Sequence, residues 1–257
     1  IFQPNMLHGR TAVISGGGTG IGFAIARQLG QLGARIAIGA KDSEPLVSAA
    51  AQLRNEGIDV HQGMLNIRDE ESVDAFFNDL SANGWRADIL INNAGGQFAS
   101  PALDISAKGF RAVVDLNLIG TWLMSVAFAR RLAQNAPTND KRPGAIVSIV
   151  LAQESGIPGM VHAAAARCGV ANMMKTLAYE WGPLGLTANA IAPGTVDTPA
   201  LARYDRKSLD ATAQRLPVAR MAQPTEIAQA AAYLVSPAAR FITGITLQID
   251  GGEHLVG

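Results

Sequence analysis

"TAVISGGGTGIGFAIARQLG", residues 11 to 30, decides the fold. An apolar, β-branched run (Thr11 to Ser15) meets a cluster of glycines, and from Ile21 apolar residues return at helical spacing. Strand, glycine-rich turn and helix in that order let the backbone approach a pyrophosphate, whose charge then faces free amides and the helix dipole. Ser15, Gly16, Thr19, Gly20, Ile21 and Gly22 are the candidate contacts. The bland alternative, a merely tight turn, is weakened by the strand before it and the helix after it.

Outward from that stretch, short apolar runs recur at 35 to 39, 58 to 62, 87 to 91, 144 to 150, 186 to 191 and 245 to 249. With 11 to 15 these make seven candidate strands. Between them lie helix-period segments at 21 to 32, 44 to 55, 70 to 80, 110 to 132 and 161 to 181. Such alternation requires crossover connections, and therefore a parallel sheet with helices on both faces: one doubly wound α/β domain over residues 1–257. The strands lack polar alternation, as expected when both faces are covered. The least regular piece, 197 to 223, is rich in Arg and Pro and suits a mobile lid or substrate loop.

Composition narrows the partners. The chain is 48% hydrophobic with 16% charged residues, enough for a large core. Lys+Arg 21 balance Asp+Glu 21, so no net field draws nucleic acid or an anionic membrane. A lone cysteine, Cys168, excludes an internal disulfide, and no Cys/His cluster has metal-ligand spacing. No metal is expected, and the reading finds no apolar run of ~18 residues. Without a signal-peptide pattern, the expectation is a soluble cytoplasmic protein, although the chain begins at Ile1 rather than Met.

The second strand ends "IGAKD" (38 to 42). An acid there accepts from a ribose 2′-hydroxyl and repels a 2′-phosphate; Lys41 does the reverse, which favours NADP(H) over NAD. Asp42 dilutes that charge, and a solvated surface lysine is the alternative.

Here the chain resembles the short-chain dehydrogenase/reductase family along essentially its whole length. "SGGGTGIG" is similar to the family's TGxxxGxG loop with Ser15 for Thr, and "INNAGG" (91 to 96) to its NNAG segment. "LNLIG" carries the family Asn at Asn117, "IAPGTVDTP" (191 to 199) resembles the PG turn, and "QIDGG" (248 to 252) the closing strand. The resemblance implies a Rossmann-type fold, a nicotinamide cofactor and hydride transfer. It also implies cofactor contacts from Asn66, Ile67, Asn93, Ala94, Gly95, Pro193, Gly194, Val196 and Thr198.

Family chemistry ordinarily uses Ser, then Tyr-x-x-x-Lys. Aligned on "CGV" (168 to 170), the Lys position is Arg167, the Tyr position is Ala163, and the Ser position falls on Val150 or Leu151. A catalytically silent NADP-binding scaffold is one explanation. The other is a different reaction. A ketone reduced to an alkoxide needs a positioned acid, worth ~10²- to 10⁴-fold. Reducing a C=C bond conjugated to a thioester needs only stabilisation of an enolate, with Cα protonated from water. The segments at 65 to 73, 95 to 110 and 161 to 181 resemble peroxisomal-type trans-2-enoyl-CoA reductases and 2,4-dienoyl-CoA reductases, which implies an NADPH-dependent enoyl reductase of fatty acid metabolism. Ala163 and Ala164 depart from the Ser and Gly of that group. Some bacterial relatives are named for citronellol or citronellal oxidation, so an alcohol or aldehyde oxidoreductase using another donor is the second enzymatic reading.

Arg167, permanently charged, is expected to hold the nicotinamide-side ribose and to act electrostatically rather than as a proton relay. Asn117, with Arg167 and His162, completes the catalytic candidates. His162 stands beside the vacancy, but adjacent helix positions diverge by roughly 100°, so it is either a catalytic or substrate contact or ordinary packing. Gln97 and Phe98 are expected to line the substrate mouth. Gln153 and Glu154 either face substrate or lie in a solvated loop. The segments 118 to 132 and 161 to 181 are apolar on more than one face, and the resemblance implies a homotetramer built on them, with a homodimer as the minimum.

Overall fold

The computed structural model describes residues 2–134, 143–151 and 156–256. All seven strands form: β1 (Thr11–Ser15), β2 (Arg35–Ala40), β3 (Val60–Met64), β4 (Ile89–Asn92), β5 (Gly144–Ile149), β6 (Leu186–Pro193) and β7 (Thr246–Ile249). They make one parallel sheet in the order β3-β2-β1-β4-β5-β6-β7. The helices are α1 (Gly20–Gln31), α2 (Ser43–Asn55), α3 (Glu70–Ala82), α4 (Ala107–Val114), α5 (Gly120–Gln134), α6 (Val161–Trp181), α7 (Arg206–Gln214) and α8 (Pro224–Leu234).

Strand alternation divides the core in two. Ala12 and Ile14 of β1 join Ile25, Leu29, Leu46 and Ile227 from α1, α2 and α8 on one face. Val13 joins Phe76, Phe77, Met124, Phe128 and Met174 from α3, α5 and α6 on the other. Burial on both faces explains why β1 reads as five fully buried residues in a row. Strand order reverses between β1 and β4, which opens a crevice at the carboxyl ends of the strands.

Several elements differ from the sequence expectation. β3 starts at Val60 rather than 58, because Gly57 turns at φ +80° and the Ile58 amide is still bonded to Leu53 O of α2 at 3.1 Å. The fourth helical segment starts at Ala107, capped by the Ser106 hydroxyl accepting from the Gly109 amide, and is interrupted by a π turn at Asp115–Ile119. The irregular stretch after 197 holds a 3₁₀ turn (Pro199–Arg203) and α7, whose start Asp205 caps. Only Ala213 of α7 is buried, so it leaves little apolar period to read. Finally, 107–134 forms one continuous helical stretch, long and apolar enough to cross a membrane by length and composition. Its inner face lies in the core: Met124 and Phe128 are fully buried. On its outer side and that of α6, Ile119, Trp122, Val161 and Tyr179 stay exposed.

Candidate active site

A cleft of about 830 Å³ runs along the carboxyl edge of the sheet. One end is the glycine-rich turn. Gly16 sits at φ +68°, where L side chains are strained, and a Cβ there would come 2.9 Å from Asn93 Nδ2. Thr19 precedes α1 without a side-chain hydrogen bond to it, so the first amides of α1 stay open to an anion. Gly16, Thr19, Gly20 and Ile21 line the cleft. Ser15 and Gly22 lie behind that surface. The Ser15 hydroxyl accepts from the amides of Asn93 and Ala94, both at 3.1 Å, tying the two loops together. Asn93 Nδ2 donates back to Ser15 O and Gly16 O at 3.2 and 3.0 Å. Gly22 packs on the Gly16 carbonyl, where a larger residue has no room.

At the far edge, Lys41, Asp42, Asn66 and Ile67 line the same cleft, joined by Arg68. Lys41 and Arg68 are both exposed, so two cations face one carboxylate there. Arg68 was open to sequence reasoning, since it follows β3, the strand next to β2, by a few residues.

The opposite end is built from buried polar groups. Asn117 lies in the π turn, 3% exposed. Its Nδ2 donates to Gly96 O and Val113 O, each at 2.8 Å, and its Oδ1 accepts from the Gly96 amide at 3.3 Å. π turns of this kind recur at functional sites. Asn117 itself is not on the cleft surface; it fixes the Gly95–Gly96 backbone, which is. Arg167 of α6 enters the cleft over Gly95. Its Nη1 donates to Ile149 O at 2.8 Å, and desolvation pushes the guanidinium pKa down to about 10. Ala163, one turn earlier, is fully buried. Ile149, Val150 and Leu151 form an apolar wall.

Pro193, Gly194, Val196 and Thr198 line the cleft after β6. Behind them, Glu253 Oε2 accepts from the Thr195 amide at 3.0 Å and packs on Gly194. Burial, then the neighbouring Asp250, raises the Glu253 pKa above its ordinary value. Glu253 escaped the sequence reading because it follows β7 with no periodic signal. The cleft is completed by Met160, Ile157, Leu201, Tyr204 and Leu209.

Gln97 lines the cleft, but Phe98 does not. Phe98 turns onto His162, edge-on at 4.5 Å between ring centroids. His162 is fully buried, has Phe110 at 6.4 Å, and accepts the Ala163 amide at Nδ1. Its Nε2 has no hydrogen-bond partner among the described residues. Of the two sequence alternatives for His162, these surroundings are those of packing. Gln153 and Glu154 lie outside the described residues. Among the described residues no His/Cys/Asp/Glu cluster could hold a metal ion.

A glycine-rich turn before a helix, at the point where parallel strand order reverses, defines a dinucleotide-binding protein. Residues 16–254 match the family model described as "Enoyl-(Acyl carrier protein) reductase". A peroxisomal 2,4-dienoyl-CoA reductase of Arabidopsis thaliana is 32% identical over 260 residues, 99% of this chain and 87% of that protein. A 3-oxoacyl-[acyl-carrier-protein] reductase FabG of Rickettsia felis is 31% identical, over 97% of this chain and 99% of that protein. Among solved structures, the citronellol catabolism dehydrogenase (AtuB) of Pseudomonas aeruginosa PAO1 is similar at TM-score 0.85 and 34% identity, covering 99% and 98% of the two chains. The chain belongs to the short-chain dehydrogenase/reductase family and is an oxidoreductase. That family binds a nicotinamide cofactor, NAD or NADP. The open amides of α1 and the cleft volume fit such a group.

Proposed function

We propose that this protein reduces the carbon–carbon double bond of a 2-enoyl or 2,4-dienoyl thioester with NADPH. The observation that carries the reading is Ala163. One turn before a cleft-facing Arg167, the helix offers a buried methyl group and no hydroxyl. A carbonyl reduced there would lack its acid, a loss of ~10²- to 10⁴-fold, whereas an enolate asks only for stabilisation of its charge. Similarity to a dienoyl-CoA reductase supports the same assignment. Lys41 and Arg68 at the far edge support NADPH over NADH, as cations suited to a 2′-phosphate.

When bound, the nicotinamide supplies hydride. Arg167 would hold the nicotinamide-side ribose and set a positive field where enolate charge develops. Val196 would meet the nicotinamide and Thr198 the phosphates over Gly20, and Ser15, Asn93 and Asn117 keep the loops in register. Gln97 and the apolar side chains of Met160 and Leu201 would receive the acyl group. The exposed Ile119, Trp122 and Tyr179 support a homotetramer, or at least a homodimer, through α5 and α6.

Similarity to a citronellol catabolism dehydrogenase favours a second reading, alcohol or aldehyde chemistry. NADPH consumption with crotonyl-CoA, a medium-chain 2-enoyl-CoA, a 2,4-dienoyl-CoA and simple ketones separates the two. Efficient ketone reduction with no enoyl turnover overturns the first reading. NADPH binding with no turnover of any substrate leaves a silent scaffold.

A further inference from the structure

With Ala163 in place of a hydroxyl residue, α6 offers the thioester oxygen no hydroxyl donor. Among the described residues, four hydroxyl-bearing side chains belong to the cleft: Thr19, Thr195, Thr198 and Tyr204. Thr19 opens α1 at the phosphate end. Thr195 is engaged with Glu253 through its amide and its side chain. The Thr198 side chain reaches back over the phosphate turn, its Cγ2 3.4 Å from where a Cβ on Gly20 would stand. Tyr204 remains. The chain has three tyrosines. Tyr179 is 88% exposed on α6, and Tyr233, in α8, packs against the core. Tyr204 alone of the three lines the cleft.

Its place is fixed by the loop that carries it. The Tyr204 amide donates to Leu201 O at 2.9 Å, and Leu201 and Leu209 line the cleft on either side of it in sequence. At the base of the loop, Arg206 Nη1 donates to Asp197 Oδ1 at 2.9 Å and Nη2 to Oδ2 at 3.5 Å, closing residues 197 to 206 on themselves. Asp205 caps α7 by accepting from the Ser208 amide at 2.9 Å, which sets the direction in which the chain leaves Tyr204. The phenol makes no hydrogen bond to a described residue.

We propose that the Tyr204 hydroxyl donates a hydrogen bond to the thioester carbonyl oxygen, so that the hydroxyl absent from α6 is supplied by the loop after β6. The proposal rests on the enoyl-thioester reading. Hydride forms a new C–H bond at Cβ, the C=C pair moves into the Cα–C(O) bond, and the carbonyl pair moves onto oxygen, where Tyr204 and the field of Arg167 meet the charge. When the C=O bond re-forms, Cα takes a proton from water and Tyr204 keeps its own.

Tyr204→Phe tests this, because it removes one oxygen and keeps the ring. Loss of a single donor to a developing oxyanion lowers kcat by about 10²-fold or more. The expected result is that loss of kcat on the enoyl thioester, with the NADPH Kd from fluorescence titration and the thermal midpoint unchanged. A kcat within threefold of the parent overturns the proposal. So does a variant that loses NADPH binding, which would assign the tyrosine to the cofactor. If the parent reduces only carbonyl compounds, the enoyl reading falls by itself, and Tyr204→Phe is then measured on that carbonyl: the same loss upholds the hydrogen bond, and a parental rate overturns it. A parent inert toward every substrate overturns both.

Discussion

A methyl group at position 95 is the most local perturbation of the nicotinamide end. Its carbon would stand 2.6 Å from Asn117 Oδ1 and 2.7 Å from Arg167 Nη2, where ordinary contact is about 3.5 Å or more. Both contacts are too short, so both neighbours must give by close to an ångström. Asn117 is buried and bonded at three points, and Arg167 is bonded to Ile149 O at 2.8 Å, so the methyl group strains the Asn117 anchorage and displaces the guanidinium together. Overpacking costs about 1 to 3 kcal/mol, which in a domain of this size lowers the melting temperature by about 2 to 6 °C. A displacement of that size beside the reacting centre costs about 10²-fold in rate, expected here in kcat/KM with a raised cofactor KM. Gly96→Ala is the control, since its added carbon would meet only Leu116 Cδ2, at 3.5 Å. Thermal melts and steady-state NADPH oxidation on both variants decide it. If Gly95→Ala matches the parent, or Gly96→Ala suffers equally, the account of how Arg167 is held is wrong.

Three further outcomes are expected. Lys41→Asp should lower the NADPH over NADH affinity ratio by about tenfold or more, as loss of a charge-assisted bond to the 2′-phosphate implies; equal affinities in the parent protein would contradict this. Ala163→Tyr with Arg167→Lys should yield weak ketone reduction at best and a lower melting temperature, because position 163 has no exposed surface into which a ring can expand. Hydrogen bonds from Arg220 and from the Gln223 amide hold the Glu226 carboxyl down at about 2. A depressed carboxyl stabilises above its unfolded pKa of ~4.3 and loses that contribution as pH falls through the folded value. The melting difference between parent and Glu226→Gln should therefore shrink from pH ~4.3 down to about 2, and stay below ~1 kcal/mol throughout because the pair is solvent-exposed.

What was legible followed from how each signal arises. Strands buried on both faces and glycine-rich turns write themselves into local sequence, so all seven strands could be expected, whereas their order in the sheet is set by tertiary packing. The phosphate end was equally open, being one contiguous segment. α7 was not, because a helix with a single buried residue has almost no apolar period. Ser15, Gly22 and Asn117 look like ligand contacts in sequence, yet they act one layer back, tying loops that do reach the cleft. His162 and Phe98 have cleft-compatible chemistry and pack edge-on against each other instead. Glu253 and Tyr204 come from segments whose positions are set by tertiary contacts, the former through Thr195 and the latter through the Asp197–Arg206 closure.

The cost of Arg167 bears on the choice between an enzyme and a scaffold. Desolvation is the cause that lowers its pKa to about 10, so at neutral pH the charged form is held against a penalty of the order of a few kcal/mol. That penalty persists at all pH values below about 10 and is relieved only above it, where the folded protein releases the proton first. A protein that merely carried a dinucleotide could meet the ribose hydroxyls with a neutral amide and avoid the penalty. A cation that cannot serve as a proton relay, facing a cleft whose nearest helical neighbour is a buried alanine, suits a reaction in which negative charge develops and needs stabilisation rather than immediate protonation. Enolate formation from a conjugated thioester has that requirement. Alkoxide formation from a ketone needs the acid as well, and on α6 there is none.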